Sequence, residues 1–265
     1  MQRNTFFAEL RKRGSGIFGT SLKQEQVSGV EAILDECIRQ GADLGQAAYI
    51  LSTGYGETGG RMQAVRENLN YSASQIAKHF GAHRRQGKTP EQLSRNPELL
   101  GNTVYGGEWG RINLGNTQPG DGFRFRGFSV GQITGRANTE KASRDTGLDL
   151  IGNPALLDDV RANAQLLVKW MLAGRATNLK LSNFVAGSRR DYLGARRVWG
   201  GVDAAKYVGF AKAFEAALTS AGYDTSGAPP WRPDVEPVDT PPATPDWLAA
   251  LIAAIVAFFK GSKRP

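Results

Sequence analysis

Two glutamates, Glu57 and Glu67, have the residue type and the spacing that could support acid/base chemistry. Hydrolysis of a glycosidic bond uses two carboxyl groups, one to protonate the leaving oxygen and one to activate a water or to attack directly. On one continuous helix, side chains ten positions apart would point about 280° away from each other. Gly59 and Gly60 lie between the glutamates and favour a helix end, which would let Glu67 return from the next segment.

The neighbouring residues predict different environments for the two carboxyl groups. Glu57 shares a helical stripe with small and apolar residues such as Ala47 and Ile50, so we expect burial to favour its protonated form. Glu67 has polar neighbours such as Arg66, which predict an ionised carboxylate. A general acid at Glu57 and a general base at Glu67 is the resulting hypothesis. The alternative is that both are solvated surface glutamates.

The composition restricts the class of partner. The chain has 265 residues and a formal net charge of +8, which favours a polyanion such as nucleic acid, anionic lipid or the acidic polymers of a bacterial envelope. The basic residues are dispersed along the chain, which argues against a nucleic-acid groove. We therefore expect no nucleic-acid partner.

Cysteine and histidine chemistry is also limited. Cys37 is the single cysteine, and its helical spacing from Val30 and Leu34 predicts a buried thiol rather than a nucleophile. His79 and His83 are the only histidines, which is too few for a histidine-rich zinc peptidase site. We expect neither a metal nor a cofactor.

The periodicity of apolar residues predicts a mainly α-helical chain. Apolar residues recur at helical spacing over residues 5–13, 23–40, 43–58, 154–175 and 203–220. Asn153 and Pro154 give the fourth of these helices a typical start. Residues 101–135 are rich in glycine and predict long loops with a short hairpin, of the kind that carries binding groups.

The C-terminal region has a different composition. Residues 226–246 contain seven of the twelve prolines and predict a stiff, extended linker. Residues 247–265 begin with WLAALIAAIVAFF, an apolar helix of about 20 Å, which is shorter than the roughly 30 Å core of a bilayer. We expect this helix and its basic tail to contact a membrane or an anionic envelope surface. The alternatives are folding back on the preceding domain or pairing with another copy.

Three motifs, in this order along the chain, resemble glycoside hydrolase family 19, the family of chitinases and phage endolysins. They are GETGGRMQAVRENLNYSA, GDGFRFRGFSVGQITGRAN and YLGARRVWGGVDAAKYVGFAKAFEAAL. The resemblance implies that Glu57 is the general acid, that Glu67 is the general base and that Thr134 holds the nucleophilic water. It also implies that the mechanism inverts the anomeric centre.

The same resemblance implies a set of substrate-binding residues within the three motifs. These are Tyr71, Arg126, Gln132, Asn138 and Arg197. Amides and hydroxyls suit the recognition of a neutral sugar. Gln132 and Thr134 have an alternative role in bracing a loop.

The chain departs from the family pattern at several positions. A glycine, Gly56, replaces the histidine that precedes the acid, and Phe128-Ser129 replaces a second Arg-Gly pair. Thr139 stands where a tyrosine is common, and the family asparagine near Trp199 is missing. None of these departures removes a proposed catalytic carboxyl group, but they affect the expected substrate subsites.

The resemblance implies a lysozyme-like, two-lobed helical domain over residues 1–225, with long active-site loops and a cleft. We expect a monomeric peptidoglycan hydrolase that cleaves β-1,4 bonds between amino sugars. It would be made in a host cytoplasm, since residues 1–14 have no apolar signal region, and would act at the periplasm or cell wall. The alternatives are a chitinase, a lytic transglycosylase and a non-catalytic envelope or membrane-binding phage protein.

Overall fold

The computed structural model describes residues 1–200 and 203–224, and these ranges are mainly helical, as predicted. The predicted linker at 226–246 and apolar helix at 247–265 lie outside the described residues. The α-helices are α1 (Arg3–Leu10), α2 (Gln24–Arg39), α3 (Leu44–Glu57), α4 (Ala73–His79), α5 (Pro90–Leu93), α6 (Pro97–Val104), α7 (Gly107–Leu114), α8 (Asp121–Arg124), α9 (Arg136–Thr146), α10 (Val160–Ala173), α11 (Tyr192–Trp199) and α12 (Ala204–Ser220). Short 3-10 helices cover Arg13–Ser15, Ala82–Arg84, Pro154–Asp158 and Leu181–Asn183.

The chain divides into two compact units. Of the described residues, the first unit combines Met1–Gln63 with residues 160–200 and 203–224, and the second unit is Ala64–Asp159. In the first unit, α3 packs against α12 and α2 packs against α10. A two-stranded antiparallel sheet, β1 (Val185–Ala186) and β2 (Arg189–Arg190), also belongs to the first unit.

Helix α3 positions Glu57 and has clear signals at both ends. At its start, the Asp43 side chain accepts from the backbone N–H of Gln46, whose own side chain accepts from the backbone N–H of Asp43. At its end, Gly59 and Gly60 take positive φ angles of 59° and 81°, which favour glycine. The predicted helix end between the two glutamates is therefore confirmed.

The prediction of one continuous helix over residues 154–175 is wrong. Asn153 accepts from the backbone N–H of Ala155, so the predicted cap is present. The turn that follows is a 3-10 helix, and it ends at Asp159 in an extended conformation before α10 begins. The apolar periodicity continues across this break, which is why the sequence pattern does not reveal it.

The second unit contains the glycine-rich residues 101–135, and the prediction of loops there is confirmed for residues 115–120 and 125–135 and is wrong for the rest of the stretch. This stretch contains the end of α6 and all of α7 and α8. Several glycines mark the helix boundaries: Gly106 precedes α7, and Gly115 ends it with a φ of 66°. The predicted short hairpin corresponds to a β-bridge between Phe128 and Ile133.

Cys37 is fully buried on α2, which confirms the prediction of a buried helical thiol. Burial raises the pKa of this thiol far above its usual range, so it stays protonated and unreactive.

Across residues 1–200 and 203–224, no helix combines the length and the apolarity that crossing a membrane requires.

Candidate active site

Glu57 is the last residue of α3 and is almost completely buried in the first unit. Two side chains from other helices reach its Oε1 atom. The hydroxyl of Tyr207, on α12, donates a hydrogen bond of 2.9 Å, and Nη1 of Arg196, on α11, lies 2.8 Å away. Glu57 therefore lies in a buried polar cluster rather than in the apolar environment that its stripe predicts.

Arg196 carries the charge in this cluster. Its side chain is 3% exposed, and its guanidinium lies over the ring of Tyr207, 3.9 Å from the ring centroid. Its Nε and Nη1 atoms form no hydrogen bond within the described part of the chain, so the contact with Glu57 is an ion pair without hydrogen-bond alignment. Arg196 thus gives the buried carboxyl group of Glu57 a positively charged partner. The expectation that burial favours a protonated Glu57 stays a prediction.

Glu67 is buried in the second unit. The hydroxyl of Tyr105 donates to both carboxylate oxygens, 2.8 Å from Oε1 and 3.0 Å from Oε2, and the backbone N–H of Gly127 donates to Oε2 at 3.3 Å. The backbone of Glu67 is also fixed, because its N–H donates to the carbonyl of Gly127 at 2.7 Å. Arg126 Nε donates to the carbonyl of Glu67 at 3.0 Å.

Burial raises the pKa of Glu67 to about 7. The hydrogen bonds from Tyr105 and Gly127 lower this pKa without offsetting the burial. The prediction of an ionised carboxylate among polar neighbours is therefore wrong below neutral pH, because neighbours in sequence do not set the solvation of the side chain. A carboxyl group that titrates near neutrality is well suited to transferring protons at that pH.

Three oxygen atoms converge beside Gly127 in the second unit. Gln132 Oε1, Thr134 Oγ1 and Glu67 Oε2 lie 2.6, 3.4 and 3.5 Å from the point where a β-carbon on Gly127 would stand. Gln132 Oε1 is buried and has no hydrogen-bond partner among the described residues. A β-carbon at position 127 would be too close to Gln132 Oε1, so glycine is what allows the three oxygens to approach one another here.

The residues around this space are also braced by hydrogen bonds. Gln132 Nε2 donates to the carbonyl of Val65 at 2.9 Å, and Thr134 Oγ1 donates to the carbonyl of Gln132 at 3.0 Å. Asn138 Nδ2 donates to the carbonyl of Thr134 at 3.0 Å. Gln132 has a left-handed backbone with φ of 50°, a strained conformation for this residue type that is frequent at functional sites. These contacts are compatible with both interpretations of Gln132 and Thr134, as residues that bind sugar or water and as residues that brace a loop.

The remaining predicted site residues differ in their burial and in their contacts. Tyr71 is buried, and burial, together with the charge of Glu67, raises its pKa. Arg126 is half-buried over the ring of Phe123. Arg197 is exposed over the ring of Phe184, 5.5 Å from its centroid, and has no recorded contact with Glu57 within the described residues.

The sequence interpretation missed Arg196, Tyr207, Tyr105 and Gly127. A signal was available for Arg196, because it lies on the buried face of α11 beside Ala195. An arginine on an apolar helical face requires a buried partner. No comparable signal marks Tyr105 or Tyr207, which lie 38 and 150 residues from the glutamates that they contact.

His79 and His83 do not share a helix. His79 is the last residue of α4, and His83 lies in the 3-10 helix that follows. The described part of the chain contains no group of three or more side chains that could bind a metal ion.

One comparison with known proteins found a relative, and another found none. No family model matches the chain. Over 124 residues the chain is 33% identical to a glycosyl hydrolase family 19 domain-containing protein from Haemophilus influenzae. The alignment covers 47% of this chain and 57% of that protein, so the chain spans little more than half of the curated relative. This similarity supports the resemblance to glycoside hydrolase family 19.

Proposed function

We propose that this protein is a glycoside hydrolase that cleaves β-1,4 bonds between the amino sugars of peptidoglycan. The observation that carries the proposal is the setting of Glu67, a buried carboxyl group with a pKa of about 7 beside Thr134 and Gln132. Strongly shifted pKa values are frequent at functional sites, and a carboxyl group that titrates near neutral pH can transfer protons there. The similarity to a relative named for glycosyl hydrolase family 19 gives the same class.

In the proposed mechanism, ionised Glu67 removes a proton from a water that also contacts the Thr134 hydroxyl. The water oxygen attacks the anomeric carbon while Glu57, which this step requires in its protonated form, gives its proton to the leaving glycosidic oxygen. The carbon–oxygen bond breaks, and Glu57 is left as a carboxylate that Arg196 and Tyr207 stabilise. Direct attack by water inverts the anomeric centre.

Peptidoglycan is favoured over chitin for two reasons. The ENLNYSA motif resembles the lysin branch of the family, and the net charge of +8 favours an acidic polymer. A chitinase is the second candidate, because the same two carboxyl groups cleave chitin in the family that the chain resembles.

We further propose a monomer that acts at the cell wall. Residues 247–265 would contact a membrane or envelope surface. Sedimentation with anionic vesicles, with and without residues 226–265, tests this contact, and equal binding would contradict it.

The test of the function is a comparison of turnover on purified peptidoglycan and on chitin oligomers, with new reducing ends as the readout. We expect faster release from peptidoglycan and a loss of about 10²–10⁴-fold in Glu67→Gln and Glu57→Gln. Glu98→Gln, at an exposed glutamate, is the matched control and should keep the wild-type rate. Faster turnover of chitin would favour the chitinase, and no turnover of either polymer would contradict the proposal.

A further inference from the structure

Gly56 and Tyr207 occupy complementary space next to Glu57. A β-carbon at position 56 would stand 2.3 Å from Cε1 of Tyr207 and 2.8 Å from its hydroxyl oxygen, closer than any real contact. Gly56 lies inside α3 and has no positive φ angle, so its backbone does not require glycine. The ring of Tyr207 is therefore what excludes a side chain at this position.

Tyr207 is held as a hydrogen-bond donor. Its side chain is buried, and burial, followed by the negative charge of Glu57, raises its pKa so that the phenol stays protonated. The ring lies against the guanidinium of Arg196, and the hydroxyl donates to Glu57 Oε1 at 2.9 Å. The ring and the hydroxyl thus contact different residues. A substitution of Tyr207 by phenylalanine removes the hydroxyl contact and keeps the ring contact.

The two partners leave the carboxyl group of Glu57 asymmetric. Tyr207 and Arg196 both approach Oε1. The hydrogen bond of Tyr207 and the contact of 2.8 Å with Arg196 are therefore to the same oxygen. In the proposed mechanism, Oε2 carries the transferable proton, and the negative charge left after transfer is stabilised on Oε1.

We propose that Tyr207 is a positioning residue for Glu57 and that Gly56 is present to admit its ring. Where the family that this chain resembles has a histidine before the acid, this chain has a glycine, and the hydroxyl that donates to Glu57 lies on α12. Tyr207 orients the proton of Glu57 toward the leaving oxygen and does not touch the substrate. The inference rests on the proposed hydrolase function. It identifies the residue that sets the orientation of the general acid, Glu57.

The first test is Tyr207→Phe, which keeps the ring against Arg196 and in the space beside Gly56 but removes the hydroxyl. We expect kcat to fall about tenfold or more, with KM within about twofold of wild type, because a lost hydrogen bond to a charged group affects the proton-transfer step. The control is Tyr223→Phe, which removes a tyrosine hydroxyl bonded to the carbonyl of Ala42 in the same unit. Its kcat should stay at the wild-type value.

The second test is a double-mutant cycle between positions 56 and 207. Gly56→Ala alone should lower kcat about as much as Tyr207→Ala, because the added methyl group displaces the tyrosine ring. In the Tyr207→Ala background, Gly56→Ala should have no further effect on kcat. Gly209→Ala is the matched control, since Gly209 lies inside α12 with open space around its β-position.

Two outcomes would overturn the inference in an active enzyme. One is a Tyr207→Phe protein that keeps the wild-type kcat, and the other is an additive cycle in which Gly56→Ala is equally harmful with and without Tyr207. A wild-type protein that hydrolyses neither polymer is a different result. It contradicts the proposed function, and with it any role of Tyr207 in the reaction.

Discussion

The hydroxyl of Tyr105 donates to both oxygens of Glu67, at 2.8 Å and 3.0 Å. A donor of this kind favours the ionised carboxylate, and it opposes the burial that raises the pKa of Glu67 to about 7. Tyr105 therefore keeps Glu67 from becoming a still weaker acid. In the proposed mechanism it holds the general base partly ionised at neutral pH.

Removal of this donor should shift the pH dependence of hydrolysis. A base must be ionised, so kcat/KM should rise with pH through about 7 in the wild-type protein. In Tyr105→Phe the pKa of Glu67 rises further, and the acidic limb should move up by about one pH unit. The measurement is a profile of kcat/KM from pH 5 to pH 9, with Tyr223→Phe as control. An unmoved limb, or activity that falls as pH rises through 7, would rule out Glu67 as a base tuned by Tyr105.

The raised pKa of Glu67 also predicts how stability depends on pH. The folded protein binds the proton of Glu67 more tightly than the unfolded chain, whose pKa is near 4.5. The stabilisation that comes from protonated Glu67 is thus fully present below about pH 4.5 and is lost as pH rises through about 7. The shift corresponds to about 3 kcal/mol at about 1.4 kcal/mol per pKa unit.

Glu67→Gln removes this titration and tests it. Between pH 5 and pH 8, the difference in unfolding free energy between variant and wild type should change by about 2.5 kcal/mol in favour of the variant. Urea unfolding at both pH values measures this difference. A constant difference across this range would show that Glu67 does not titrate with a raised pKa.

Glu57→Gln should affect stability differently. This change leaves the buried guanidinium of Arg196 without its counter-charge, and breaking a buried ion pair costs about 3–5 kcal/mol. The control is Glu215→Gln, because Glu215 pairs with Arg190 at a site where both side chains are about a quarter exposed. Thermal and urea unfolding should show the larger loss at Glu57. Equal losses at the two sites would mean that the buried pair has no special role in stability.

Substitutions at Thr134 separate its hydroxyl from its methyl group. The hydroxyl donates to the carbonyl of Gln132, which leaves its oxygen free to accept from a water beside Glu67. Thr134→Ser should keep near wild-type turnover, whereas Thr134→Val should lower kcat more than it raises KM. Steady-state kinetics on one soluble substrate measures both parameters. If serine and valine are equally impaired, packing of the methyl group explains the role of Thr134 instead.

Much of the fold could be predicted because regular apolar spacing is a local property. It places α2, α3 and α12 to within a few residues. The pattern failed where glycines separate short helices, as at Gly106 and Gly115, because these residues also occur in loops. It failed again at Asp159, where a helix breaks without a composition signal.

The candidate site was predictable in its residue types and less so in its electrostatics. The motifs locate Glu57, Glu67, Gln132 and Thr134, and three of these meet beside one glycine. The protonation of the glutamates depends instead on partners distant in sequence, such as Tyr105 and Arg196. Polar neighbours along the chain give no information about the burial of a side chain.

The central claim is that Glu57 and Glu67 hydrolyse a glycosidic bond with an activated water. The most direct measurement is mass spectrometry of purified peptidoglycan digested in water enriched in heavy oxygen. The account predicts one heavy oxygen at each new reducing end, and no such product from Glu67→Gln. Anhydro-sugar ends without the label would contradict it, since they arise by intramolecular attack and need no activated water.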